Sequence, residues 1–178
     1  MRIIIPDSLL NEALIYSRLS RQYTSNRHDF HSGGLDNKQK KMFEGKIGEK
    51  AIKKLFIDEN IKFEEDTTSH EEADFYDFIV HTKSGKRLKV DVKTRTKAFH
   101  TRTLEMVEQL KKKPKDIYIS VRLYDKKPIE VEIIGYALKN DFIKVNRIQN
   151  QGYLDNYVLF DTELHSINTL LQSLQKNE

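Results

Sequence analysis

The sequence predicts an α/β domain in which a mixed β-sheet is flanked by helices. Two stretches near the start carry apolar residues at helical spacing, whereas the middle of the chain, from Ile61 to Ala137, alternates apolar and polar residues in short runs. The segments follow the order helix, strand, antiparallel hairpin, helix, strand. A helix connecting neighbouring strands brings parallel and antiparallel pairs into one sheet. A chain of 178 residues is long enough to bury roughly two-thirds of its unfolded surface, so a single domain over 1–178 needs no disulfide or metal to fold.

The first helix is predicted over residues 7–22, where Leu9, Leu10, Ala13, Leu14 and Tyr16 fall at helical spacing after Pro6, with Asp7 or Ser8 as cap. Residues 23–36 hold Arg27, His28 and His31 beside the breakers Ser32, Gly33 and Gly34, and read as a loop. A longer helix, capped by Asp36 or Asn37, runs to about Glu59. Phe43, Ile47, Ala51 and Leu55 form its apolar ladder, which Ile52 and Phe56 widen. Strands follow at 61–63, 75–81 and 87–94, and Ser84-Gly85 in the polar link between the last two marks a hairpin. Residues 101–113 read as a helix through Leu104, Val107 and Leu110, closed by Pro114. Strands at 116–123, 129–137 and 157–160 and a helix at 161–174 complete the chain.

The absence of Cys excludes CxxC zinc sites, thiol catalysis and disulfide scaffolds. The apolar run Ile3, Ile4, Ile5 stops at Pro6 and Asp7, far short of a secretory core or a membrane span, so a cytoplasmic protein is expected. Lys and Arg number 31 against 27 Asp and Glu, a net charge of +4. That charge is uneven: +3 over 1–43, −6 over 44–77, +9 over 78–115 and −2 over 116–178. An acidic block therefore runs straight into a strongly basic one.

The chemistry is concentrated at this junction. In Val90-Asp91-Val92-Lys93, a strand sends both valines to one face and Asp91 and Lys93 to the other. A hairpin centred on Ser84 pairs positions that sum to about 168, which sets Asp77 across from Asp91. Two opposed carboxylates repel unless one is protonated or a cation lies between them. Oxygen donors suit a hard divalent ion, and Mg²⁺ is held by one or two carboxylates plus substrate phosphate. In this reading Asp77 and Asp91 hold the ion while Lys93 orients or deprotonates the nucleophile and steadies developing charge. The long helix offers a third acid, Glu49 at the edge of its apolar stripe or Glu44 within it. Gly45 and Gly48 weaken that helix by about 1 kcal/mol each, which close packing or backbone approach explains.

The set Gly45-Lys46-Ile47-Gly48-Glu49 with Ile52, Leu55 and Phe56, then Asp77-Phe78-Ile79-Val80, then Val90-Asp91-Val92-Lys93-Thr94 resembles the PD-(D/E)XK nuclease superfamily. That superfamily contains restriction endonucleases, Holliday-junction resolvases and repair nucleases. The resemblance covers about residues 42–123 and implies a restriction-endonuclease-like fold. The nuclease core would then span 37–125, preceded by an N-terminal helix and loop (1–36) and followed by C-terminal strands and a helix (126–178). By resemblance Asp77 matches the first motif carboxylate, Asp91 the (D/E), Lys93 the K, and Glu49 the helix glutamate beside the metal. Tyr76 stands where the family has proline, Asp74 competes with Asp77, and Glu44 competes with Glu49. The implied activity is Mg²⁺- or Mn²⁺-dependent hydrolysis of phosphodiester bonds in DNA.

The basic block supplies the expected nucleic-acid contacts: Arg87, Lys89, Arg95, Lys97 and Arg102, with Lys86, Lys111, Lys112, Lys113 and Lys115 beyond them. His100 is a further candidate for phosphate contact and Gln109 for the cleft. Arg18, Arg21 and the 23–36 loop are candidates for a clamp. A double-strand cut needs two sites, which a homodimer provides. The rival readings are a structure-selective nuclease of the resolvase or repair type, an RNA-directed enzyme, a nucleic-acid-binding module without catalysis, and a protein-interaction domain.

Overall fold

A computed structural model describes residues 1–20, 35–66, 75–150 and 154–175. Its elements are β1 (Arg2–Ile4), α1 (Asp7–Leu19), α2 (Leu35–Asp58), β2 (Phe63–Glu65), β3 (Phe78–His81), β4 (Arg87–Arg95), β5 (Arg102–Met106), α3 (Val107–Lys112), β6 (Ile117–Tyr124), β7 (Glu130–Leu138), α4 (Lys139–Val145), β8 (Ile148–Asn150), β9 (Asp155–Phe160), a 3₁₀ turn (Asp161–Glu163) and α5 (Ile167–Leu174). Six strands form the main sheet in the order β1-β7-β6-β4-β3-β2, and β5-β9-β8 form a second. Within the main sheet β4 and β6 run parallel and every other neighbouring pair is antiparallel. The expected mixed sheet with flanking helices is therefore present.

Alternation along β4 and β6 decides what each face carries. Val90, Ile117, Ile119 and Val121 join a large cluster with Ile47, Ala51, Ile52, Leu55 and Phe56 of α2 and Ile167, Leu170, Leu171 and Leu174 of α5. Tyr118, which points the other way, packs with Leu110 of α3, Ala137, Phe142 of α4 and Leu159 of β9. The main sheet is thus covered on one face by α1, α2 and α5 and on the other by the small sheet with α3 and α4. Phe56, Phe63 and Phe78 meet with ring centroids 5.6–5.7 Å apart, fixing α2 against the β2–β3 edge. The hairpin turn needs Gly85 at φ +80°, a conformation that costs glycine little.

Gly48 marks the closest approach of helix to sheet. A Cβ there would lie 2.0 Å from Thr94 Oγ1 and 3.0 Å from Val121 Cγ2. Gly45 has open space around it, so close packing accounts for only one of the two glycines.

Three expectations are corrected. Residues 101–113 are not one helix: 102–106 form β5, and only 107–112 coil as α3. Leu104, Val107 and Leu110 do fit a helical period, but pairing of β5 with β9 along five residue pairs overrides it. The segment between β7 and β9 contains α4 and β8, neither of which has a periodic signal long enough to detect. The stretch from Asp161 is a 3₁₀ turn before α5 begins at Ile167. The expected 23–36 loop lies outside the described residues except for its last two positions, which open α2. Among the described residues, no helix is long and apolar enough to cross a membrane.

Candidate active site

The hairpin register is the one the sequence implies. Phe78 pairs with Val90, Ile79 with Lys89, Val80 with Leu88 and His81 with Arg87, and the ladder stops one residue short of Asp77 and Asp91. Asp77 lies just ahead of β3, its N–H donating to Val90 O at 2.9 Å. Its carboxylate accepts the Val92 N–H at 2.6 Å, which holds it against the β4 backbone. Burial, then the charges of Glu49 and Asp91, push the Asp77 carboxyl well above the usual carboxylate range. Asp77 thus feels an acid from the helix and an acid from the neighbouring strand.

Asp91 and Lys93 leave β4 on the face that the small sheet covers. The Lys93 ammonium lies 2.8 Å from Asp91 Oδ2 and 2.7 Å from Glu105 Oε2, and Lys115 Nζ approaches Asp91 Oδ1 at 3.6 Å. Both contacted oxygens, Asp91 Oδ2 and Glu105 Oε2, are buried and sit outside hydrogen-bond geometry, so these are charge contacts. Burial alone would lower the lysine, but the Asp91 and Glu105 carboxylates outweigh it and hold Lys93 protonated well above its ordinary range. Burial likewise opposes ionisation of Asp91, and Lys93 and Lys115 overcome it, keeping that carboxyl low. Glu105, with none of its side chain exposed, is raised chiefly by burial. Tyr118, opposite Asp91 in the parallel pair, donates its hydroxyl toward Glu105 Oε1 at 3.5 Å.

The helix acids part company. Glu49 lies with Asp77, Lys46 and Tyr16 around a cavity of about 100 Å³. Its carboxylate accepts Lys46 Nζ at 2.7 Å, and that ammonium also lies 4.2 Å from the Tyr16 ring centroid. Glu44 belongs to a different space, a cleft of about 560 Å³ whose floor includes Val92 to Thr96 and whose walls come from α2 and β5. Burial raises its carboxyl, with Lys40 opposing. Asp74 lies outside the described residues. Of the two helix acids, Glu49 is therefore the neighbour of Asp77.

The basic residues have varied surroundings. Lys89 and Lys97 are exposed, and Arg87 is exposed beside Glu64 at 2.7 Å. Arg102 lines the large cleft and donates to Gln149 Oε1 at 2.7 Å. Arg95 and Lys115 correct the expectation of a free basic surface. Arg95 is buried, donating through Nη1 to His100 O at 2.8 Å, Arg102 O at 3.3 Å and Asp161 Oδ1 at 2.7 Å, which ties the end of β4 to the 3₁₀ turn. Lys115 is buried beneath Asp91. His100 is exposed on the cleft rim, and Gln109 is half-buried on α3.

Sequence reasoning missed Glu105 and Tyr118, and named Lys115 and Lys46 without the acids they meet. Reading 101–106 with period two instead of 3.6 puts Thr103 and Glu105 on one face, and both are buried in β5. Comparison of the chain with protein-family models, curated proteins and solved structures finds no match.

Proposed function

We propose that this chain is a metal-dependent nuclease with a PD-(D/E)XK-type site on a restriction-endonuclease-like fold, acting on phosphodiester bonds in DNA. The observation that carries this reading is that Asp77, just ahead of β3, lines one cavity with Glu49 of α2 and lies near enough to Asp91 of β4 to feel its charge. Lys93 follows two residues on, on the same face as Asp91.

Among the described residues, no three His, Asp or Glu side chains are gathered into a metal cage. A Mg²⁺ site needs only one or two carboxylates when substrate phosphate and water complete it. The donor set fits that case, since Asp91 Oδ2 is buried with the charge contact of Lys93 at 2.8 Å and Asp77 is an oxygen donor beside Glu49. Asp77 and Asp91, with Glu49 beside them, would hold Mg²⁺ or Mn²⁺. Such an ion supplies positive charge against the scissile phosphate and makes bound water more acidic. Lys93, raised by Asp91 and Glu105, would donate to the nucleophile or to the phosphate oxygens and offset developing charge. Lys46 keeps Glu49 neutralised in the resting site.

The test is nicking and cleavage of plasmid DNA with Mg²⁺, with Mn²⁺ and with EDTA, comparing wild type with Asp91→Asn and Lys93→Ala. Metal-dependent cutting lost in both variants supports the reading, and a wild type that cuts no DNA or RNA overturns it. Branched against linear substrates separate a structure-selective nuclease from a simple endonuclease. Gel filtration reads whether a homodimer supplies the second site for a double-strand cut. A second reading, a nucleic-acid-binding module without catalysis, draws on the ion pairs already made by Asp91 with Lys93 and Glu49 with Lys46. It predicts binding that survives Lys93→Ala.

A further inference from the structure

The large cleft has basic residues and a shape that the Asp77 cluster does not use. Lys41 and Arg102 line it against one acid, Glu44, while Lys93 and Arg95 on its floor are already met by Asp91, Glu105 and Asp161. Positive charge suits a phosphodiester. The volume of about 560 Å³ falls among pockets that enclose one small ligand, about 300–1,000 Å³.

The loop between β4 and β5 supplies the other half of such a site. Phe99 is 77 % exposed, more than any other large hydrophobic side chain among the described residues. It stands between Lys97 and His100, with the His100 ring edge-on at a centroid distance of 4.6 Å. The root of the loop is pinned, because the His100 carbonyl accepts Arg95 Nη1 at 2.8 Å and Arg122 Nη2 at 3.3 Å. An isolated exposed phenylalanine is ordinary. One on a basic loop with an anchored base, next to His100 on the cleft lining, has the form of a base-stacking platform.

We propose that this cleft seats an unpaired nucleotide, with Phe99 stacking on its base and Lys41 and Arg102 on its phosphate. The proposal deepens the nuclease reading by naming single-stranded or splayed nucleic acid as the substrate class. It is tested by binding alone. Fluorescence anisotropy in EDTA compares a labelled oligothymidylate with a blunt duplex of equal length, for wild type, Phe99→Ala and Phe99→Trp, with melting curves as a folding control. Wild type binds the single strand more tightly than the duplex, Phe99→Ala weakens single-strand binding about tenfold or more, and Phe99→Trp retains it. Equal single-strand affinity in wild type and Phe99→Ala overturns the proposal, as does a wild type that binds no single strand. So does a Phe99→Ala effect confined to self-association, read by sedimentation, which makes the ring a contact between two copies. A protein that shows the Phe99 effect in EDTA but cuts nothing with Mg²⁺ or Mn²⁺ keeps this proposal and loses the nuclease reading. One that cuts without the Phe99 effect does the reverse.

Discussion

Glu105, wholly buried, lies 2.7 Å from the ammonium of Lys93 and faces it from a different sheet. Removing one partner of a buried pair leaves the other uncompensated, at a cost of about 3–5 kcal/mol. Asp91 still faces Lys93, so the isosteric Glu105→Gln loses less, about 1–3 kcal/mol in urea unfolding. If Lys93 acts on the substrate, Glu105→Gln also lowers kcat while KM stays near the wild-type value. Unchanged stability and unchanged kcat would show that the pair matters to neither.

Gly48 and Gly45 separate packing from helix propensity. Gly48→Ala forces a methyl against Thr94 Oγ1 and Val121, and overpacking of this kind costs about 1–3 kcal/mol. Thr94→Ala removes the hydroxyl and recovers part of the loss in the double variant. Gly45→Ala meets open space and gains up to about 1 kcal/mol. Chemical denaturation of the four proteins gives the answer, and a destabilised Gly45→Ala would overturn the assignment.

Arg95 and Lys97, two residues apart in the basic block, are expected to fail in opposite assays. Arg95→Ala severs the tie to Asp161 and to two carbonyls, lowering the melting temperature by several degrees. Lys97→Ala leaves melting unchanged and flattens the salt dependence of nucleic-acid binding. A loss of stability in Lys97→Ala alone would reverse these roles.

Glu163 gives a pH signature remote from the site. Arg147 donates to both of its oxygens, at 2.8 and 2.9 Å, and the Phe160 N–H adds a third bond at 2.7 Å. The Arg147 hydrogen bond chiefly, then the Phe160 N–H, lower the Glu163 carboxyl to about 2. A depressed folded-state value means the stabilisation is complete above the unfolded value of about 4.3 and disappears as pH falls through about 2. The melting-temperature difference between wild type and Glu163→Gln is therefore constant from pH 7 to 5 and narrows toward pH 2. A constant difference down to pH 2 would contradict the pairing.

How much of this was legible in the sequence depended on the distance between partners. The β3–β4 register followed from the Ser84-Gly85 turn, because a short hairpin leaves little freedom in which residues face one another. That brought Asp77 to the end of the ladder beside β4 without any tertiary information. The choice between Glu44 and Glu49 was not legible, since both lie near the apolar stripe and only the rotation of α2 on the sheet decides which meets Asp77. Glu105 was hidden for a different reason. Its strand is defined by β9, some fifty residues later, while its local spacing imitates a helix. The burial of Lys115 and Arg95 was equally invisible, because a charge run carries no record of which members find partners.

The pairing of β5 with β9 also bears on the order in which the molecule becomes competent. Glu49, Asp77, Asp91 and Lys93 are all present once synthesis has passed β6, and the β3–β4 hairpin needs nothing beyond that point. The strand that carries Glu105 has no ladder partner until residues 155–160 arrive. A nascent chain halted after β6 therefore holds the acids and the lysine in hand, but lacks the counter-charge that Glu105 brings to that lysine. Assembly of the site is a late event, gated by the last strand to be made.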